Sequence, residues 1–126
     1  MTGYAEPDTL KGQTVLVVED DFFIAEDLRC SFEERGATVV GPAASVSDAL
    51  SLIEKTDHID AATLDVSLGK EKAFSVADAM RERGVPCVFV TGYDDWALPD
   101  RFAQVPRCTK PTTPNDIATA LFGDGR

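Results

Sequence analysis

Apolar residues along this chain gather in short runs, and four of those runs stop on a residue that can handle phosphate or metal. Thr14–Glu19 leads into Asp20 and Asp21, Ile59–Leu64 into Asp65, Pro86–Val90 into Thr91, and the weaker Val105–Thr109 into Lys110-Pro111. Runs of this length, bounded by polar residues, read as strands buried on both faces. Between them the apolar residues step by three and four. Asp21–Glu34 carries Phe23, Ile24, Leu28 and Phe32, and Gly36 stops it. Ala37–Gly41 is a further strand, and Ser45 or Ser47 caps a helix bearing Ala49, Leu50 and Ile53. Val66–Lys72 reads as a polar loop, Ala73–Arg83 as a helix presenting Phe74, Ala77 and Met80, and Pro114 or Asn115 opens a last helix with Ile117, Ala118, Leu121 and Phe122. Strands alternating with helices predict one α/β domain, a doubly wound parallel sheet of five strands with about five helices. The rhythm breaks from Gly92 to Gln104, where Pro99 interrupts any helix, so a short turn is expected in place of a full fourth helix.

A parallel sheet brings all these strand ends to one carboxyl edge, the edge where open α/β folds bind ligands. Asp20, Asp21, Asp65, Thr91 and Lys110 would then share a pocket. Carboxylates in a shallow cluster suit Mg2+, which takes a few carboxylate oxygens and keeps some of its waters. An aspartate following a strand also serves as the cap of the next helix, so Asp20 and Asp21 divide between cap and ligand roles. Asp65 leaves a strand of buried residues and is placed to attack a phosphoryl group. The Lys110 ammonium and the Thr91 hydroxyl supply charge and a donor for phosphoryl oxygens.

The remaining composition narrows the field. A net charge of −10 in 126 residues leaves no basic stripe for nucleic acid. No run is long enough to span a bilayer and no signal pattern opens the chain, so a cytoplasmic, non-membrane protein is expected. Cys30, Cys87 and Cys108 form no C-x-x-C and read as buried, reduced thiols. Met1–Lys11 mixes Gly, Pro and charge and is expected to be a loose leader to a single domain, residues 12–126. His58 reads as a surface loop residue. Tyr93 and Trp96 serve equally as partner anchors or as packing over the sheet edge.

Leu16–Asp21 (LVVEDD), Asp65 after its strand, Thr91-Gly92 and Lys110-Pro111 together resemble the receiver domain of two-component response regulators. The likeness covers nearly all of Thr14–Phe122. It implies a flavodoxin-like sheet of order 2-1-3-4-5 and phosphorylation of Asp65 by a histidine kinase or a histidine phosphotransfer protein. It also implies Mg2+ held by Asp20, Asp21, Asp65 and the Ser67 backbone carbonyl, with Thr91 and Lys110 on the phosphoryl oxygens. The chain would act as a stand-alone signalling switch in a phosphorelay, through phosphorylation-dependent binding of another protein, and not as an enzyme. Two departures stand out. Arg107 occupies the fifth-strand position where most receivers carry an aromatic, and the fourth-helix region is short. With Pro86–Tyr93 (PCVFVTGY), these features resemble an atypical alphaproteobacterial subgroup whose motif reads Phe-Ala-Thr-Gly followed by Tyr or Gly; Val90 replaces the alanine. In most receivers that aromatic ring turns inward on phosphorylation; here ordering of Gly92–Gln104 would be the switch in its place. The competing readings are a degenerate receiver that binds without phosphorylation, and an Asp-nucleophile phosphohydrolase. The latter needs an acid two residues after the nucleophile, where Ser67 stands. A P-loop is absent.

Overall fold

The computed structural model describes residues 10–92 and 97–123. Five parallel strands form the main sheet: β1 Thr14–Val18, β2 Thr38–Ala43, β3 Ala61–Asp65, β6 Cys87–Thr91 and β7 Arg107–Thr109, in the order β2-β1-β3-β6-β7. Counting only these five in chain order, this is the expected 2-1-3-4-5. A small antiparallel hairpin, β4 Ser67–Leu68 with β5 Glu71–Lys72, follows β3. Among the described residues there are four α-helices: α1 Phe22–Glu34, α2 Val46–Lys55, α3 Phe74–Glu82 and α4 Pro114–Phe122. Among the described residues of the β6–β7 connection, a 3-10 turn, Asp100–Phe102, lies where a fourth full helix of a regular unit would stand. The irregular fourth unit is thus seen. Tyr93 and Trp96 lie outside the described residues.

Both faces of the sheet are buried, which explains the continuous apolar runs. Successive side chains point to opposite faces, so β1, β2 and β6 feed two cores. Leu16, Val18, Ala62, Leu64 and Phe89 pack with Ala49 and Ile53 of α2 and Val76, Ala77 and Met80 of α3. Val15, Val17, Val88 and Val90 pack with Leu28 and Phe32 of α1 and Ile117 and Ala118 of α4. Leu10 joins the second core, and its amide donates to the Arg35 carbonyl, so the described chain is anchored from its first residue.

Several details differ from the sequence reading. The buried face of α1 is Ala25, Leu28 and Phe32, whereas Phe22 and Phe23 stand 69% and 81% exposed. β2 runs two residues beyond Gly41, through Pro42, because the chain bulges there: Leu16 faces Val40, but Val18 faces Ala43. Gly41 has φ of 95°, and a Cβ there would fall 2.9 Å from the Val17 carbonyl oxygen, so only glycine fits. The expected polar loop at Val66–Lys72 is a hairpin whose Val66 and Leu68 are buried. Cys30 is exposed, not buried, while Cys87 and Cys108 are half-buried; all three are free thiols. Burial pushes the Cys87 thiol up to about 12. His58 is exposed as expected, with Nε2 2.6 Å from Asp60 Oδ1. No described helix is long and apolar enough to cross a membrane.

Candidate phosphoacceptor site

The carboxyl ends of β1, β3 and β6 meet at one open cleft of about 350 Å³, lined by Asp20, Asp21, Asp65, Ser67, Gly92 and Lys110. Each side chain arrives there for a local reason. Asp65 is the last residue of the fully buried strand β3 and is itself 3% exposed. Its Oδ2 accepts from Lys110 Nζ at 2.8 Å, and its Oδ1 accepts from the Ser67 amide at 3.2 Å. Lys110 follows β7, and its own amide donates to the Thr91 carbonyl at 2.8 Å, which fixes the lysine beside the end of β6. The Lys110–Pro111 peptide is cis. Thr91 is buried beside the cleft, its Oγ1 donating to Thr109 Oγ1 at 3.4 Å.

β1 delivers three acidic residues, and the structure gives each a different task. Asp20 is exposed, and its Oδ2 accepts from the Gly69 amide at 2.8 Å. Asp21, expected as a metal carboxylate, caps α1: its Oδ1 takes the amides of Phe23 and Ile24 at 2.9 and 3.0 Å. It lines the cleft, but the atoms that converge are those of Glu19, Asp20 and Asp65, each offering an oxygen within 4.8 Å of the others. Glu19 is the residue that sequence reasoning passed over, counting it as the last strand position. It is 3% exposed, its Oε2 accepts from the Asp21 amide at 3.0 Å, and its Oε1 lies 3.5 Å from Lys110 Nζ. The available signal was the run Val15–Val18 followed at once by an acid, with Asp21 well placed as a helix cap.

Electrostatics follow from this crowding. Burial, then the hydrogen bond shared with Asp65, raise the Glu19 carboxyl to about 7, against an opposing pull from the Asp21 amide and Lys110. Burial pulls the Lys110 ammonium down, but the hydrogen bond and charge of Asp65, with Glu19 behind it, outweigh burial and leave it above its usual value. One ammonium does not balance three carboxylates in so small a space. An all-oxygen donor set with excess negative charge fits a hard divalent cation.

A second cavity of about 750 Å³ adjoins the cleft between α1 and α4, with Phe23, Ile24, Val90, Pro111 and Ile117 among its apolar walls and Asp65 and Lys110 at its edge.

The receiver-domain profile of response regulators matches residues 15–121. The chain belongs to the response regulator receiver domain family. This receiver is similar to SdrG from Sphingomonas melonis Fr1, a solved structure with which it shares 40% identity over 88% of this chain and 94% of that one, at a TM-score of 0.76. It also matches the phyllosphere-induced regulator PhyR of Methylorubrum extorquens, at 26% identity over 85% of this chain. The receiver spans only 41% of the length of that PhyR. The receiver domain of TorR shares 26% identity at a TM-score of 0.70, covering 85% of this chain and 91% of that one. PhyR from Brucella abortus, at 24% identity and a TM-score of 0.69, covers 94% of this chain and 50% of that one, a likeness of fold. Likeness to SdrG and PhyR agrees with the alphaproteobacterial subgroup that the sequence motif resembles. A receiver of this family is a signalling domain and not an enzyme in the ordinary sense.

Proposed function

We propose that this receiver takes a phosphoryl group from a phosphohistidine-bearing protein onto Asp65, and signals by changing which protein it binds. The observation that carries the reading is the buried Asp65 carboxylate, held from one side by the Lys110 ammonium and from the other by the Ser67 amide, at the floor of an open acidic cleft. A carboxylate oxygen of Asp65 attacks phosphorus, the P–N bond to the donor histidine breaks, and its electron pair returns to the imidazole nitrogen. Lys110 stays charged and is close enough to follow the negative charge onto the phosphoryl oxygens; Thr91 stands beside it as a hydroxyl donor. Positioning and charge neutralisation account for most of the rate in such transfers.

Asp20 and Asp65, with the Ser67 carbonyl, would hold Mg2+; Glu19 closes the set from the buried side, and Asp21 keeps α1 in place as its cap. When bound, the ion neutralises phosphoryl oxygens that the carboxylates alone would repel.

A protein donor is favoured by what borders the cleft. Phe22, Phe23 and Ile24 are the exposed large apolar residues of the described chain, and Phe23 and Ile24 line the cavity beside Asp65. An apolar patch next to the acceptor suits a helix that carries a histidine. Intact mass after incubation with Mg2+ and acetyl phosphate tests the acceptor. One phosphoryl group is expected on the wild type, none on Asp65→Ala, and none in excess chelator. Absence of label from every small donor and from every phosphohistidine protein tried would instead make the domain a binding module.

A further inference from the structure

The middle of β3 carries a polar residue where its surroundings are apolar. Ala62 and Leu64 face the core shared with α2 and α3, so Thr63 between them faces α1 and α4. Its neighbours across the sheet are Val17 of β1 and Val88 of β6, both members of the second core. Thr63 is 1% exposed, and among the described residues its hydroxyl meets no hydrogen-bond partner. A buried hydroxyl left unpaired weakens the fold, so its presence calls for a partner from outside the chain.

Thr63 has one open side. It lines the cavity of about 750 Å³ between α1 and α4, together with Phe23, Ile24, Leu28 and Ile117. Apolar walls around a few polar groups are the usual make-up of a small-molecule site, and the volume suits one. Charge narrows the occupant. Glu19, Asp27 and Asp65 border the cavity, and Lys110, the one cation lining it, already lies 2.8 Å from Asp65 and 3.5 Å from Glu19. An anion would meet three acids and no unpaired cation. A charged head of either sign at the depth of Thr63 would lie among apolar side chains without a counter-charge. A neutral hydroxyl, which both gives and accepts a hydrogen bond, matches Thr63.

We infer that the cavity between α1 and α4 binds a small, neutral, hydroxyl-bearing apolar molecule, its body among Phe23, Ile24, Leu28 and Ile117 and its hydroxyl on Thr63. The site itself needs no phosphoryl chemistry. Its consequence for signalling rests on the phosphoacceptor reading: an occupant lies against the Phe23 and Ile24 flank where a protein donor would dock, and so competes with that donor.

Titration of 2-naphthol into the isotope-labelled protein, followed by amide NMR shifts, tests the site. Saturable shifts should centre on Ile24, Thr63 and Ile117. Thr63→Val keeps the side chain's shape without the hydroxyl. It should bind 2-naphthol about two- to tenfold more weakly, the span of one ordinary net hydrogen bond. It should also melt no lower than the wild type, since no bond within the protein is lost. Thr63→Ser, which keeps the hydroxyl, should bind more tightly than Thr63→Val. The same molecule with a methyl in place of its hydroxyl, 2-methylnaphthalene, should bind wild type and Thr63→Val alike. Absence of saturable shifts, shifts centred elsewhere, or equal 2-naphthol affinity in wild type and Thr63→Val overturns the inference. A lower melting temperature for Thr63→Val overturns it too, because the hydroxyl would then serve the fold. Parallel loss of 2-methylnaphthalene does the same, by assigning the effect to the cavity's shape. Failure of acetyl phosphate to label Asp65 is a separate result, which removes the phosphoacceptor reading and leaves this site standing.

Discussion

Glu19 is lifted to about 7 first by its burial at the end of β1 and then by the hydrogen bond it shares with Asp65. A carboxyl whose folded value lies above its usual 4.5 binds a proton in the folded state that the unfolded chain lacks. Its contribution to stability is therefore complete below about 4.5 and is lost as pH rises to about 7. In chelator, the melting temperature should decline across that window, and Glu19→Gln should flatten the decline and melt higher than the wild type at pH 8. Equal slopes in the two proteins would show that Glu19 does not carry the effect. A cation in the cleft should reverse the order of the two proteins at pH 8, because only the wild type then holds a charge there worth keeping. The division among Glu19, Asp20 and Asp21 is also the part of the site that a sequence leaves open. Any of three consecutive acids after a strand can face a cation, and one residue of shift decides which one caps the helix. Asp65 and Thr91 stood out because each closes its own strand, and Lys110 because it follows one alone.

At the level of elements, the connection from β6 to β7 is held from its far end. Phe102, 1% exposed, sits in an aromatic group with Phe89 edge-on at 5.3 Å and Phe74 stacked at 5.6 Å. Arg101 carries its guanidinium over the same ring at 4.5 Å and pairs through Nε and Nη2 with both Asp78 oxygens of α3 at 3.0 Å. Arg81 donates to the Arg101 carbonyl. The ring and the ion pair differ in weight. Phe102→Ala should cost about 3–5 kcal/mol in denaturant unfolding, the usual range for a fully buried ring. Arg101→Ala, removing an exposed pair, should cost far less. Equal losses would mean the ion pair, and not the ring, holds the segment. The sequence announced the irregularity through Pro99 but not the anchor, since Pro99 and Pro106 break the helix that Leu98, Phe102 and Val105 would otherwise mark. For similar reasons β2 was read as ending at Gly41: Pro42 signals a stop, and only the bulge against β1 carries the strand past it. The β4–β5 hairpin was hidden because two buried residues in a polar stretch give too short an alternation to recognise.

For the whole molecule, with its net charge of −10, the apolar flank beside the cleft bears on what can approach Asp65. Two exposed phenylalanines, with rings edge-on at 5.5 Å, spend their apolar area on solvent at the start of α1. The periodicity of α1 counts Phe23 with the core, but the helix is rotated so that Ala25, Leu28 and Phe32 fill it. Folding therefore gains little from Phe22 and Phe23, and replacing both with serine should change unfolding stability by no more than about 0.5 kcal/mol. A docking role makes the opposite demand on transfer. Central aromatic contacts of an interface commonly contribute about 2 kcal/mol or more, so Phe22→Ser with Phe23→Ser should slow labelling by a phosphohistidine protein at least about tenfold. Labelling by acetyl phosphate should stay unchanged, because a small donor needs only the cleft. Slowing with both donors would place the damage in Asp65's own surroundings, through the Asp21 cap that lies against Phe23 and Ile24. Slowing with the protein donor alone assigns α1 to recognition, and separates the surface that selects the donor from the strand ends that receive its phosphoryl group.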